Sequence, residues 1–196
     1  MIIKHRVNSI EELLRVPEEF GLEIDLRLHH DSLVLAHDPF TAGDKFEDWL
    51  PHFRHKMLIL NVKEDGLEET ILKLLVRYKI MDYFFLDQPF PTLRKSAMND
   101  YRTALRLSEY ENPVNNVDLK VEWLWLDSFF GDWQYLKQHA AWIKQGQFRT
   151  CVVSPELQGR VVGDEPEQLV KIMQNLGLEI SAVCTKRPEA WEGLLK

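Results

Sequence analysis

Short runs rich in β-branched and aromatic residues alternate with longer amphipathic runs along the whole chain. This alternation is typical of βαβ units, in which helices join parallel strands. It predicts strands at residues 1–5, 22–28, 33–36, 57–63, 83–87, 103–108, 122–128, 150–154 and 180–185. It predicts helices near residues 9–15, 44–53, 67–78, 91–99, 133–144 and 166–176. A chain with this order of elements is expected to build one parallel sheet.

Eight of these strands are enough to close a (β/α)8 barrel of the TIM type, with the short run at 33–36 as a hairpin partner. All 196 residues are expected to form one barrel domain. Barrels of this type usually have about 200 to 250 residues, so the loops must be short. Residues 112–120 have no clear helical period, and we expect a loop where a barrel helix would otherwise stand.

Charge and composition exclude several classes of protein. Lys and Arg number 24 against 31 Asp and Glu. No stretch interleaves basic with aromatic side chains, so nucleic acid is not an expected partner. Cys151 and Cys184 lie in apolar runs without metal-site spacing, which indicates reduced, buried thiols. No signal peptide precedes the first strand and no apolar run reaches the ~20 residues of a membrane span, so a cytoplasmic location is expected.

Charged and apolar residues alternate strictly in the predicted strand at 22–28, which places Glu23 and Asp25 side by side on one face. By itself this pattern is typical of a strand with one solvated face. In a barrel covered by helices, however, the apolar face packs under the helices and the charged face points to the lumen. Buried carboxylates need a cation or hydrogen-bond donors, and carboxylate oxygens suit hard ions such as Mg²⁺ or Ca²⁺.

Two histidines and a lysine stand where predicted strands end, which is the catalytic rim of such barrels. His5 ends the first strand and His37 follows the run at 33–36, so either imidazole is placed to exchange a proton. Asn61 and Lys63 share one face of the strand at 57–63, where the lysine can neutralise a phosphate. Structural histidines and a surface lysine are the alternative interpretations.

Three segments of the chain, in order, are His5-Arg6, Glu23-Ile24-Asp25 and His37-Asp38-Pro39. They closely resemble the His-Arg, Glu-x-Asp and His-Asp-Pro signatures of glycerophosphodiester phosphodiesterases. Asn61-Val62-Lys63 is similar to the Glu-x-Lys strand of that family, and Thr185-Lys186-Arg187-Pro188 to its closing Thr-Asp-x-Pro. The resemblance spans the chain, is strong over residues 1–63, and implies a barrel of the PLC-like phosphodiesterase type.

The resemblance also implies a role for each matched residue. The implied roles are acid–base catalysis for His5 and His37, divalent-cation binding for Glu23, Asp25 and Asn61, and phosphate binding for Arg6 and Lys63. The cation would be Mg²⁺ or Ca²⁺. The implied activity is the hydrolysis of a small phosphodiester, such as a glycerophosphodiester or a diester of another polyol, a sugar or a lipid headgroup.

The chain departs from the family pattern at three places. Val7 replaces the glycine that usually follows His-Arg, and Asn61 replaces the third metal carboxylate. The insertion usual between the His-Asp and Glu-x-Lys motifs is missing, because only 23 residues lie between positions 37 and 61. Further acidic candidates for the coordination sphere stand near predicted strand ends at Asp87, Glu109 and Asp127.

Two alternative functions stay open at this point. The missing third carboxylate favours a non-catalytic barrel that binds a phosphate-bearing ligand or scaffolds an assembly. In many members of the family the substrate's own hydroxyl is the nucleophile, so the same site could also act as a lyase that releases a cyclic phosphate.

Overall fold

The computed structural model describes residues 1–112 and 119–195. Within them the strands are β1 (Ile2–Lys4), β2 (Gly21–His29), β3 (Ser32–Leu35), β4 (Leu58–Val62), β5 (Tyr83–Leu86), β6 (Ala104–Leu107), β7 (Trp123–Leu126), β8 (Arg149–Val153) and β9 (Ala182–Thr185). The helices are α1 (Ile10–Leu13), α2 (Phe46–Trp49), α3 (Glu68–Arg77), α4 (Phe90–Met98), α5 (Gln134–Gln145) and α6 (Glu165–Asn175). Single 3₁₀ turns lie at Leu50–His52, Pro155–Gln158 and Pro188–Ala190.

Eight parallel strands form a nearly closed barrel in the order β5-β4-β2-β1-β9-β8-β7-β6, and β3 pairs antiparallel with β2. The seam between β5 and β6 is joined by a parallel bridge between Phe85 and Thr103. There the Phe85 amide donates to the Arg102 carbonyl at 2.9 Å. The predicted (β/α)8 barrel with a hairpin partner is confirmed. Because the eight strands are parallel, their carboxyl ends meet at one mouth of the barrel.

Side chains of the barrel strands alternate between two environments, as the pleat of a strand requires. One set packs together inside the barrel and includes Ile3, Ile59 and Cys184. The other set, which includes Leu22 and Leu60, packs outward against the helices. A residue two places after an inward-facing strand residue therefore also faces inward. At the carboxyl end of a strand, such a residue faces the mouth of the barrel.

The remaining sequence predictions are mostly confirmed. Every predicted strand and helix is present within two residues at each end, when the 3₁₀ turn at Leu50–His52 is counted with α2. Cys151 and Cys184 are buried free thiols, as expected. Of the loop expected at 112–120, residues 113–118 lie outside the described residues. Within the described ranges, no helix is long and apolar enough to span a membrane.

Candidate functional site

Three oxygen-bearing side chains lie together on adjacent strands at the mouth of the barrel. In the parallel register of β2 and β4, Glu23 pairs with Ile59 and Asp25 with Asn61. Ile59 belongs to the interior cluster, so Glu23, Asp25 and Asn61 all face the lumen. Both carboxylates are about 1 % exposed. The inward direction that the sequence predicts for them is the one the structure has.

Glu23 is bound by groups from two other segments. Its Oε2 atom accepts a hydrogen bond from the Arg6 amide at 2.8 Å and lies 3.7 Å from Nε2 of His5. Its Oε1 atom accepts a hydrogen bond from Nδ2 of Asn61 at 3.2 Å. Burial and the neighbouring charge of Asp25 raise the pKa of Glu23 to about 7.

Asp25 is surrounded by donors and cations. Lys63 Nζ lies 2.9 Å from Oδ1, and Arg6 Nε lies 3.3 Å from Oδ2. Asn8 donates from Nδ2 to Oδ2 at 2.8 Å, and the Asp25 amide donates back to Oδ1 of Asn8 at 2.9 Å. Burial opposes ionisation, but Lys63, Asn8 and Arg6 together hold the pKa of Asp25 below its ordinary value.

His5 is the more enclosed of the two histidines at the site. Its ring has an exposed fraction of 14 %, and Nδ1 has no hydrogen-bond partner among the described residues. Burial, and then the charges of Arg6 and Lys186, lower the pKa of His5 to about 4. The imidazole is therefore neutral at pH 7 and able to accept a proton.

His37 lies on the same rim but has a different environment. Its ring is 43 % exposed, and Nδ1 lies 2.8 Å from Oδ1 of Asp38. The guanidinium of Arg27 donates to the His37 carbonyl from Nε at 3.1 Å and from Nη2 at 3.0 Å. The Ala36 amide donates to the Asp25 carbonyl at 3.1 Å, which ties this loop to β2. Within the described residues, no hydrogen bond or ion pair joins the His37 ring to the carboxylates of Glu23 and Asp25.

The three further acidic candidates have partners of their own in the structure. Asp87 and Asp127 both form ion pairs with Arg106. Glu109 accepts hydrogen bonds from the Ser128 hydroxyl and from the Phe129 amide. The charge of each is thus already satisfied on the β5–β7 side of the barrel.

Asn8 is the site residue that sequence reasoning missed. It lies between Val7 and Ser9, which caps α1 through a hydrogen bond from the Glu12 amide at 3.1 Å. The cap pattern Ser9-x-x-Glu12 marks a helix start in the sequence. It gives no signal that the preceding asparagine contacts a carboxylate 17 residues later.

The donor set at this site fits a hard divalent cation. Among the described residues, no three His, Cys, Asp or Glu side chains are grouped to hold a metal ion. A cation here therefore depends on the amide oxygen of Asn61 as its third protein ligand. That atom, Oδ1, is buried and has no hydrogen-bond partner within the described ranges. An oxygen with free lone pairs thus lies beside two carboxylates, a combination that suits Mg²⁺ or Ca²⁺.

Solved structures share this architecture at low sequence identity. A glycerophosphodiester phosphodiesterase from Thermotoga maritima has a TM-score of 0.69 and 16 % identity, with 98 % of this chain and 97 % of that chain covered. The glycerophosphodiester phosphodiesterase from Agrobacterium tumefaciens has a TM-score of 0.68 and 13 % identity, over 98 % and 97 % of the two chains. A Ca²⁺-dependent phosphatidylinositol-specific phospholipase C from Streptomyces antibioticus has a TM-score of 0.55 and 12 % identity, over 100 % and 95 %.

No protein-family model matches the chain, and no curated protein matches it. The structural similarity covers nearly the full length of both chains in each comparison. The chain therefore shares the (β/α)8 barrel fold of these structures. Because one fold can support different activities, the function of this barrel depends on the residues of its own site.

Proposed function

We propose that this chain is a metal-dependent phosphodiesterase that hydrolyses a glycerophosphodiester or a related small phosphodiester. The observation that carries the proposal is the strand register that brings Glu23, Asp25 and Asn61 together beside His5 and Lys63. A buried acidic corner next to a neutral imidazole and two cations suits the cleavage of a charged phosphodiester. The known neighbours in fold are phosphodiesterases, which agrees with the proposal.

The two histidines have complementary environments for acid–base chemistry. His5 is partly buried and neutral at pH 7, so it accepts a proton from the nucleophile, which is either water or the substrate's neighbouring hydroxyl. If the hydroxyl attacks first, water then opens the cyclic phosphate to complete the hydrolysis. His37 is exposed next to Asp38 on the open side of the rim, where it delivers a proton to the leaving alcohol. In this proposal the two histidines act on opposite sides of the bound phosphate.

The phosphate is bound and oriented by cations that the structure already places in the mouth. Arg6 and Lys63 contact Asp25 and neutralise nonbridging phosphoryl oxygens when substrate enters. Glu23, Asp25 and Asn61 would hold Mg²⁺ or Ca²⁺. When bound, the ion would act as a Lewis acid on a phosphoryl oxygen.

A second candidate is a non-catalytic barrel that binds a phosphate-bearing ligand. The observation that favours it is the charge balance of the site, because Arg6 and Lys63 already neutralise Asp25. A third carboxylate would favour binding of a divalent cation, but Asn61 has an uncharged amide instead of a carboxylate. Turnover decides between the two candidates.

The experiment is a turnover assay on the purified chain. It uses glycerophosphodiesters and bis-(p-nitrophenyl) phosphate with Mg²⁺, Ca²⁺ or Mn²⁺, and then with a chelator. We expect product to form with cation and to stop with chelator. Phosphorus NMR identifies a phosphomonoester for a hydrolase and a cyclic phosphate for a lyase. Binding of phosphate without turnover of any of these diesters would support the non-catalytic barrel.

A further inference from the structure

Lys186 and His5 occupy neighbouring positions at the ends of adjacent strands. In the parallel register of β1 and β9, Ile3 pairs with Cys184 and Lys4 with Thr185. The register continues past the strand ends, because the His5 amide donates to the Thr185 carbonyl at 3.0 Å. If this register is continued by one residue, His5 lies opposite Lys186. Adjacent strands lie about 4.8 Å apart, so the two side chains start as close neighbours.

The alternation along β9 directs Lys186 toward the mouth. Ala182 and Cys184 belong to the interior cluster, and Val183 packs on the outer side. Lys186 is the next residue on the inward-facing side. The side chain is exposed to solvent.

The backbone of Lys186 is held at both of its polar groups. Its amide donates to Oε1 of Glu156 at 2.8 Å, and its carbonyl accepts a hydrogen bond from Lys4 Nζ at 2.7 Å. Glu156 is itself fixed by the hydroxyl of Thr185 at 2.6 Å. The starting point of the Lys186 side chain beside His5 is therefore well defined.

Lys186 differs from the other two cations of the mouth in its charge partners. Arg6 and Lys63 both contact Asp25. Over residues 1–112 and 119–195, no carboxylate forms an ion pair with Lys186. Its ammonium group can therefore contact a ligand that arrives from solution without first leaving a carboxylate.

We propose that Lys186 binds a nonbridging oxygen of the phosphate group in this mouth. The proposal rests on the proposed function for the location of the phosphate, and adds a phosphate-binding residue to that site. A lysine ammonium is a compact point charge that forms charge-assisted hydrogen bonds with phosphate oxygens. The resembled sequence pattern has an aspartate at this position and an acidic residue at Asn61. Both replacements make the mouth more positive. Positively charged side chains can therefore neutralise more of the phosphate charge.

The test measures binding of inorganic phosphate to the full chain by titration calorimetry, with chelator present and without a turnover step. Lys186→Ala is compared with Lys186→Arg, which keeps the charge, and with Lys171→Ala, which removes an exposed lysine from α6. We expect Lys186→Ala to weaken phosphate binding about tenfold, about 1.4 kcal/mol. Lys186→Arg should stay within about threefold of wild type, and Lys171→Ala should bind as wild type does. Thermal melts confirm that each variant is folded.

Equal binding by wild type and Lys186→Ala would overturn the proposal, and so would equal weakening by Lys186→Ala and Lys171→Ala. Absence of phosphate binding by wild type would overturn it as well. These outcomes are independent of turnover. If the diesters are not cleaved but Lys186→Ala alone loses phosphate, the phosphodiesterase proposal fails and the assignment of Lys186 stands.

Discussion

Asn8 and Asp25 exchange two hydrogen bonds, one from Nδ2 of Asn8 to Oδ2 of Asp25 at 2.8 Å and one from the Asp25 amide to Oδ1 of Asn8 at 2.9 Å. The pair ties the loop after β1 to the carboxylate at the mouth. Asn8 thus contacts both the carboxylate and the backbone amide of Asp25, which limits rotation of the Asp25 side chain.

Replacing Asn8 with alanine removes both bonds and leaves the Asp25 amide without its partner. Loss of such a supporting hydrogen bond typically costs 10–100-fold in metal affinity or activity. We expect Asn8→Ala to weaken Mn²⁺ binding, measured by electron paramagnetic resonance, by a factor in that range. Asn99→Ala is the matched control, because the Asn99 side chain donates to the Lys95 carbonyl within its own helix end. Unchanged Mn²⁺ binding in Asn8→Ala would show that Asp25 is fixed by other groups.

Replacing Asn61 with aspartate restores a third carboxylate next to Glu23. Without a cation the added charge repels Glu23 and lowers the melting temperature in chelator. With Ca²⁺ or Mg²⁺ the extra anionic ligand strengthens binding, by about tenfold or more, because ligand charge tunes the affinity of oxygen sites. We expect a larger thermal shift on cation addition for Asn61→Asp than for wild type, and a smaller shift for Asn61→Ala. A smaller shift for Asn61→Asp would place the cation elsewhere.

The raised pKa of Glu23 makes a prediction about stability in the metal-free protein. Its pKa in the fold is about 7 against 4.5 ordinarily, so the folded state holds this proton more tightly than the unfolded state. The resulting stability is complete below pH 4.5 and is lost as pH rises through 7. In Glu23→Gln nothing titrates at this position. We expect urea denaturation to show the free energy of unfolding of wild type falling relative to Glu23→Gln between pH 4.5 and 8.

A constant difference between the two proteins over that range would mean that Glu23 titrates near its ordinary pKa. The comparison between two variants is needed because His5 has the opposite shift. Its lowered pKa makes the folded state more stable as pH rises toward 6.5. His5 titrates in both wild type and Glu23→Gln, so the difference between the two proteins reports on Glu23 and on its contact with His5.

Gly43 lies in the loop that follows His37, against the end of β3. A Cβ atom at this position would lie 2.1 Å from the Leu35 carbonyl oxygen. Because the clash involves backbone, the loop must move. We expect Gly43→Ala to destabilise the fold by about 1–3 kcal/mol and to displace His37. Gly66→Ala is a poor control, because Gly66 has a positive φ. Gly21→Ala is the comparison for a side-chain packing effect, because its Cβ atom would lie 2.3 Å from the Ile3 side chain.

If Gly43→Ala keeps both stability and the His37 position, the loop is more adaptable than the packing indicates. A crystal structure of the variant measures the position directly. Chemical denaturation of Gly43→Ala and Gly21→Ala measures the stability.

Much of the site follows from two periodic rules. The alternation along residues 22–28 places Glu23 and Asp25 inward, and parallel pairing places Asn61 beside them. These positions depend on a repeating backbone geometry, which a sequence displays. The same rules direct Lys186 inward. The motif matched by residues 185–188 has an aspartate at this position, so it did not indicate a phosphate-binding lysine.

Loop contacts could not be predicted in the same way. Asn8 reaches Asp25 because the chain turns at Arg6, which has a φ of 56°, and the Arg6 amide then bonds to Glu23. Asparagine before a helix cap usually bonds to local backbone. The residues around Asn8 do not indicate whether its side chain bonds to local backbone or to a distant strand.

The charged partners were also predictable only in part. Arg6 and Lys63 were expected to contact phosphate, and in the structure they contact Asp25. A buried carboxylate needs charge partners whether or not substrate is bound. Their contact with phosphate stays a prediction.

The proposed phosphodiesterase activity is tested by the rate of glycerophosphodiester cleavage by wild type, His5→Ala, His37→Ala and His52→Ala, with and without a divalent cation. His52 is exposed in the 3₁₀ turn after α2 and is the matched control. We expect cation-dependent turnover by wild type and His52→Ala, and a loss of about 10²–10⁴-fold in each of the other variants. No turnover by wild type with any cation, or equal rates in all four proteins, would contradict the account.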